Sequence, residues 1–153
     1  MQYKVFRYML PILVVSLMGV VALLGLSSGA SADGVSLDVS FTKWVTVYPN
    51  MAGTVGGDVG DGDFAGEILK LTNSPDGRFR ELDALYHIKG KLYSFTARVD
   101  VTQNNDKRVA VVSGVVTEGS LKGSSVFGAY KIVTCSQGAG GNCFQGTLRV
   151  TRP

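Results

Sequence analysis

The segment LYSFTARVDV, residues 92–101, alternates apolar and polar side chains along its length. Successive side chains of a β-strand point to opposite faces, so this period of two predicts a strand with one face in a core and the other in water. The apolar face would be formed by Tyr93, Phe95, Ala97, Val99 and Val101.

The chain on both sides of this segment has the same character. Short connections rich in turn residues, such as SPDG at 74–77 and QNNDK at 103–107, separate the strands. Segment 108–117, RVAVVSGVVT, is apolar on both faces, which predicts that it is covered on both. The other predicted strands are 36–47, 53–59, 63–71, 79–88, 124–134 and 143–151.

The sequence therefore predicts an all-β protein. A meander of about eight strands has two unpaired edges, and closure into a barrel removes both. We expect a closed or nearly closed antiparallel barrel, with a two-sheet sandwich as the alternative. Glycines inside the strands would permit the bending that a barrel needs; they are Gly66, Gly114, Gly128 and Gly146.

Residues 1–32 have the three parts of a secretory signal peptide. Lys4 and Arg7 precede an apolar run over 9–26, and Ala30-Ser31-Ala32 forms a cleavage site. An uncleaved membrane anchor is the alternative, since the run is just long enough to span a bilayer. We predict cleavage before Asp33, a single mature domain over 33–153, and a secreted or cell-envelope location.

The mature chain is nearly neutral. The whole sequence has 15 basic and 12 acidic residues, and removal of Lys4 and Arg7 leaves 13 against 12, a net charge of +1. This near-neutral charge does not indicate the basic surface that nucleic-acid binding requires. No basic amphipathic stripe indicates a membrane surface once the signal is removed.

The mature chain contains two cysteines, Cys135 and Cys143. An even number of cysteines in an exported chain predicts a disulfide. This bridge would close the glycine-rich loop SQGAGGN in a structural role.

Residues 110–130, AVVSGVVTEGSLKGSSVFGAY, combine short strands with internal glycines. This pattern resembles the barrels of allene oxide cyclases and plant dirigent proteins over about residues 35–151. The C-terminal CFQGTLRV also resembles the end of a group of small exported bacterial proteins. The resemblance implies a closed barrel with an apolar lumen, and it identifies no catalytic residue.

The acidic stretch GGDVGDGDF, residues 56–64, could be a calcium loop or a turn. Asp58, Asp61 and Asp63 could supply oxygens. The calcium-binding nonapeptide that the stretch partly matches works through repetition, and here there is a single copy. We therefore favour a glycine-rich turn with solvated acids, and predict no metal site.

His87 is the sole histidine. It could act as a general acid or base with Asp83, which shares its face of the strand. The opposite face, with Tyr86 and Ile88, is the better core, so we predict that His87 lies outside and is not catalytic.

The sequence leaves three functions open. The first is binding of a small apolar molecule or surface component in a lumen lined by Tyr86, Phe95 and Phe144. The second is a cyclase or isomerase that acts by shaping its substrate, and the third is a structural envelope protein. Lumen volume would separate the third from the others, and a polar group buried among aromatics would favour the second over the first. No cofactor is indicated, and oligomerisation stays open.

Overall fold

The computed structural model describes residues 36–153, which form an antiparallel β-barrel. The predicted signal peptide lies outside the described residues. Within 36–153 no helix is both long and apolar enough to cross a membrane. The strands are β1 (Ser36–Val45), β2 (Asn50–Gly57), β3 (Gly62–Asn73), β4 (Phe79–Gly90), β5 (Ser94–Asn104), β6 (Val109–Gly119), β7 (Ser125–Thr134) and β8 (Asn142–Thr151).

Each strand pairs with the next, and β1 pairs with β8 to close the barrel. The closing register runs from Ser36 opposite Thr151 to Lys43 opposite Phe144. The prediction of an all-β closed barrel is confirmed, and the sandwich alternative is not realised.

The core lies inside the barrel, where the inward residues of all the strands meet. In β5, Phe95, Ala97, Val99 and Val101 are at most 4% exposed. Their neighbours Arg98 and Asp100 lie on the outside. The alternation read from the sequence of this strand is therefore realised in the fold.

Two β-bulges, one in β3 and one in β6, interrupt the alternation and keep apolar side chains on the inner face of the barrel. The β3–β4 register shifts between Ile68 and Lys70, so Leu69 is an extra residue in β3. A second shift, between Thr96 and Ala97, makes Thr117 the extra residue in β6. Because a bulge adds one residue to a strand, Ile68 and Leu71 both keep their side chains against the core.

The prediction that β6 is covered on both faces is wrong for the part of the chain that the structure describes. Val109, Val111 and Val115 are 43%, 50% and 44% exposed on the outer wall, and Phe127 of β7 is 63% exposed. A barrel wall has only one face in the core, and residues 36–153 place no second layer over this part of it. Valine is favoured in strands whether its side chain points inward or outward. A run of valines therefore does not distinguish an exposed outer face from a second buried face.

The predicted disulfide is confirmed. Cys135 and Cys143 are bonded, with their Cα atoms 5.7 Å apart. The bridge spans the β7–β8 connection, which contains a short 3₁₀ turn over Ala139–Gly141.

An exposed ion pair lies across the closing seam. Arg149 donates hydrogen bonds to both carboxylate oxygens of Asp38, at 2.9 and 3.1 Å. These bonds lower the pKa of Asp38. Since both groups face water, the pair supports the register of β1 on β8 more than it adds stability.

Candidate functional site

A lysine occupies one of the inward positions of β1. Val39, Phe41 and Lys43 are successive inward residues of this strand, and Lys43 is only 4% exposed. Alternation alone places the residue there, because every second side chain of the strand enters the barrel. A charged amine is the least favourable occupant of such a position, since burial removes its hydration.

The amine has few polar partners. Lys43 Nζ donates a hydrogen bond to Tyr86 Oη of β4, and it lies 3.7 Å from Met51 Sδ of β2. No carboxylate of residues 36–153 comes within 4.0 Å of Nζ. The lysine is therefore buried without a counter-ion from the described chain.

Aromatic rings surround the amine. Such rings attract a cation through their negative faces, which offsets part of its lost hydration. The nearest is Tyr86, whose ring centre lies 4.1 Å from Nζ. The full set of rings within 5.9 Å comprises Phe41, Phe64, Tyr86, Tyr130 and Phe144.

Burial lowers the pKa of Lys43 from 10.5 to about 7. Burial also raises the pKa of Tyr86 well above its usual value of 10.0, and the nearby Tyr130 adds to this effect. At neutral pH the amine is thus divided between its charged and neutral forms, while Tyr86 keeps its proton.

A second polar chain lies beside the first. Tyr130 Oη donates to Gln103 Oε1 at 3.0 Å, and Gln103 Nε2 donates to Asn105 Oδ1 at 2.7 Å. Burial raises the pKa of Tyr130. The Tyr130 hydroxyl is therefore hydrogen-bonded to Gln103, whereas the Tyr86 hydroxyl accepts the hydrogen bond from Lys43.

A cavity of about 110 Å³ adjoins these groups. Most of its wall is apolar, and the polar contributions come from Lys43, Arg80, Gln103, Tyr48 and Tyr130. Tyr48, which is 61% exposed, borders it and marks its side toward solvent. The lining residues are Lys43, Val45, Tyr48, Met51, Ile68, Leu71, Arg80, Leu82, Gln103, Tyr130 and Phe144.

Two glycines make room for the aromatic rings. Gly146 lies in register between Phe41 and Tyr130, and a Cβ on it would be 2.1 Å from the Ala129 carbonyl oxygen. Gly66 lies between Met51 and Tyr86 in the same way. Small residues next to large ones let the rings fill the interior of a small barrel.

The predicted lining residues are only partly brought together. Tyr86 bonds Lys43 but is not among the residues that line the cavity, whereas Phe144 lies on the cavity wall with its ring 5.4 Å from that of Tyr130. Phe95 is buried, but it pairs with Ile88 and Gly119 and does not line the cavity. That these three residues bind a ligand stays a prediction.

His87 lies on the outer wall. Its Nδ1 is 3.0 Å from Thr96 Oγ1 of the neighbouring strand, and the side chain is half-buried. Asp83 is bonded to Arg98 at 2.6 and 3.1 Å. The hydrogen bonds of His87 and Asp83 thus go to different partners, and neither residue lines the cavity beside Lys43.

The acidic stretch GGDVGDGDF connects β2 to β3. Asp58 Oδ2 accepts a hydrogen bond from the Asp38 amide at 2.8 Å, and Val59 is fully buried. Within residues 36–153 no three acidic, histidine or cysteine side chains are grouped as metal ligands. The absence of calcium binding stays a prediction.

Sequence reasoning missed Lys43. The signal was present in SLDVSFTKWV, where Leu37, Val39, Phe41 and Val45 occupy alternate positions and Lys43 takes the one between the last two. A lysine in an apolar series of period two is predicted to be buried. What the sequence could not provide is the set of rings around it, which come from five different strands.

The fold and the site define a small closed antiparallel barrel with a buried, aromatic-lined lysine beside an internal cavity. Comparison with protein-family models, curated proteins and solved structures finds no match.

Proposed function

We propose that this barrel binds a small, mostly apolar molecule with an oxygen acceptor group in the cavity beside Lys43. The observation that carries the proposal is a buried amine without a described carboxylate partner on the wall of an apolar cavity. A pocket that combines apolar walls with a few convergent polar groups is the usual form of a small-molecule site.

The energetic cost of Lys43 supports a functional role. Burying an ionised amine costs several kcal/mol even after relaxation. A methionine or leucine would fill the same position without this cost. Ionisable groups with a shifted pKa that lie in cavities occur preferentially at functional sites. Lys43 is such a group, since its pKa is lowered and it lines the cavity.

The cavity limits the size of the bound group. A cavity of about 150 Å³ holds a benzene molecule. By proportion, the 110 Å³ here accommodates roughly four or five non-hydrogen atoms. The occupant is either a molecule of this size or the end of a longer one that leaves the barrel past Tyr48.

A cyclase or isomerase is the second candidate. The observation that favours it is the Lys43–Tyr86 pair, a polar group enclosed by aromatic rings. Such a pair could hold a flexible substrate in one shape and move a proton. Both candidates require a molecule bound in the cavity, so binding is proposed first, and the buried Lys43–Tyr86 pair is the feature that favours its extension to catalysis. The cavity counts against a purely structural protein with a filled interior.

We also propose that the protein lies in the cell envelope or outside the cell. The Cys135–Cys143 disulfide supports this, because disulfides persist in oxidising compartments. N-terminal sequencing of the exported protein is expected to begin at Asp33, and a start at Met1 would favour an anchor instead.

The binding test uses propanamide, a small carbonyl compound with five non-hydrogen atoms. We expect saturable NMR shifts of the Met51 methyl group and the Tyr130 ring in the full-length chain. The ceiling of about 1.5 kcal/mol per ligand atom allows at most about 7.5 kcal/mol for five atoms, so we expect affinity no tighter than the micromolar range.

Lys43→Met is the matched control. A hydrogen bond to a charged group is worth about 1.5–3 kcal/mol, so the variant should bind propanamide about tenfold to a hundredfold more weakly. Shifts confined to the outer wall, or no saturation, would refute lumenal binding. If lumenal binding is observed, native mass spectrometry of protein purified from its own host would identify the natural occupant.

A further inference from the structure

We propose that Lys43 forms an imine with a small aldehyde held in the cavity. This inference rests on the proposed function, because the aldehyde must first occupy the cavity beside Lys43. It assigns the residue a covalent role and the bound molecule a chemical class.

The position of the amine supports this role. Nζ is enclosed by the barrel, and its hydrogen-bonding contacts are Tyr86 Oη and Met51 Sδ. Neither is an anion, since burial keeps Tyr86 protonated. A buried carboxylate would hold the amine as an ammonium ion, and the described residues provide none within reach.

The reaction is balanced without a redox partner. The neutral amine attacks the carbonyl carbon, a C–N bond forms, and the carbonyl π electrons move to oxygen. The proton lost by nitrogen is balanced by the one gained by oxygen, which gives a carbinolamine. Loss of the hydroxyl group with the remaining N–H proton as water leaves a C=N bond.

The lumen favours formation of the imine. Lysines desolvated in apolar pockets are the ones used as amine nucleophiles, and the pKa of Lys43 near 7 leaves much of the amine neutral at physiological pH. The other ionisable groups beside Lys43 or on the cavity wall are Tyr86, Tyr130, Tyr48 and Arg80. None of these is a carboxylate.

The aldehyde must be small and apolar. The space beside Lys43 suits about four or five non-hydrogen atoms, and Met51, Ile68 and Leu71 offer an apolar surface to the carbon chain. Propanal fits this description, and propanamide has the same carbon chain but cannot form an imine.

The experiment is reductive trapping. The full-length chain is incubated at pH 7 with propanal and cyanoborohydride, which reduces an imine to a stable N-propyl amine. Peptide mapping then locates the adducts. The exposed lysines of the same molecule serve as internal references: Lys70, Lys89, Lys91, Lys107, Lys122 and Lys131.

We expect Lys43 to be modified at least tenfold faster than any exposed lysine. An ordinary lysine of pKa near 10.4 is neutral in only about one molecule in 2,500 at pH 7, whereas about half of the Lys43 amines are neutral. An excess of propanamide should slow the modification of Lys43 and leave the exposed lysines unaffected.

The possible results distinguish failure of imine formation from failure of ligand binding. If propanamide binds in the lumen but Lys43 gains no adduct, the imine is refuted and binding stands. If neither compound enters the lumen, both fail. Adducts spread over exposed lysines with Lys43 no faster would also refute the imine. The internal references make the result independent of whether Lys43→Met folds.

Discussion

At the scale of the residue, Tyr86 and His87 show how one position along a strand changes a side chain's role. Tyr86 is fully buried and bonds Lys43, whereas His87 lies on the outer wall against Thr96. The two adjacent residues therefore differ in what their loss should cost.

We predict that His87→Ala leaves the fold intact. The change removes one outer-wall hydrogen bond, worth about 1 kcal/mol, and no core packing. The control Tyr86→Ala should cost about 3–5 kcal/mol because it empties a core position. Thermal melts of both variants check this, and a comparable loss in the two would place His87 in the core.

At the scale of the element, the pairing of β7 with β8 depends on Gly146. The position faces the interior, where Tyr130 and Phe41 flank it. The space that a methyl group would need is already occupied by the Ala129 carbonyl oxygen and by Tyr130 Cβ, 2.6 Å away.

Gly146→Ala should therefore be destabilising by about 1–3 kcal/mol, the usual cost of overpacking. Gly56→Ala is the matched control, since its new Cβ would meet only the ends of two side chains, Ser40 at 3.1 Å and Asp61 at 3.6 Å, and no backbone atom. Urea unfolding of the two variants is the measurement. Equal, small effects would mean that β8 can shift away from β7.

The β2–β3 connection gives a second prediction at this scale. We expect calcium to bind GGDVGDGDF weakly or not at all, because one of its three acids, Asp58, already accepts the Asp38 amide. A micromolar site would raise stability by roughly 4 kcal/mol at a thousandfold excess of ion. A melt shifted by calcium, with the shift lost in Asp61→Ala, would contradict this prediction.

At the scale of the whole molecule, the buried lysine links global stability to pH. The folded pKa of Lys43, about 7, is below its value of 10.5 in water. Between these two pH values the unfolded chain binds more protons than the folded one, so stability rises with pH in this window. Below pH 7 the amine is protonated in both states, and its contribution is flat and unfavourable.

We predict that wild type gains up to ~4 kcal/mol of stability relative to Lys43→Met between pH 7 and about 10. Above about pH 10 both proteins lose stability, because the unfolded Tyr86 ionises while the buried one resists ionisation. This loss is common to both proteins and cancels in the comparison. Denaturant unfolding of both proteins across this range is the measurement. Parallel curves would show that the Lys43 amine titrates as it does in water.

Much of the fold was predictable because strand formation leaves a local signal. The alternation in LYSFTARVDV, the turn residues between strands and the two cysteines are readable over a few positions, and the structure confirms the strands, the barrel and the disulfide. Strand ends differ by up to a few residues, as in β2, which spans Asn50–Gly57. Turn chemistry limits such ends only loosely.

The site was decided by contacts that are distant in sequence. Asp38 meets Arg149 across 111 positions, and Lys43 meets Tyr86 across 43. Periodicity could place Lys43 and Tyr86 on inward faces, but it could not say which inward residues share a level of the barrel. That depends on strand register and bulges, which set the rings around Nζ, the volume beside it and the exposure of the β6 valines.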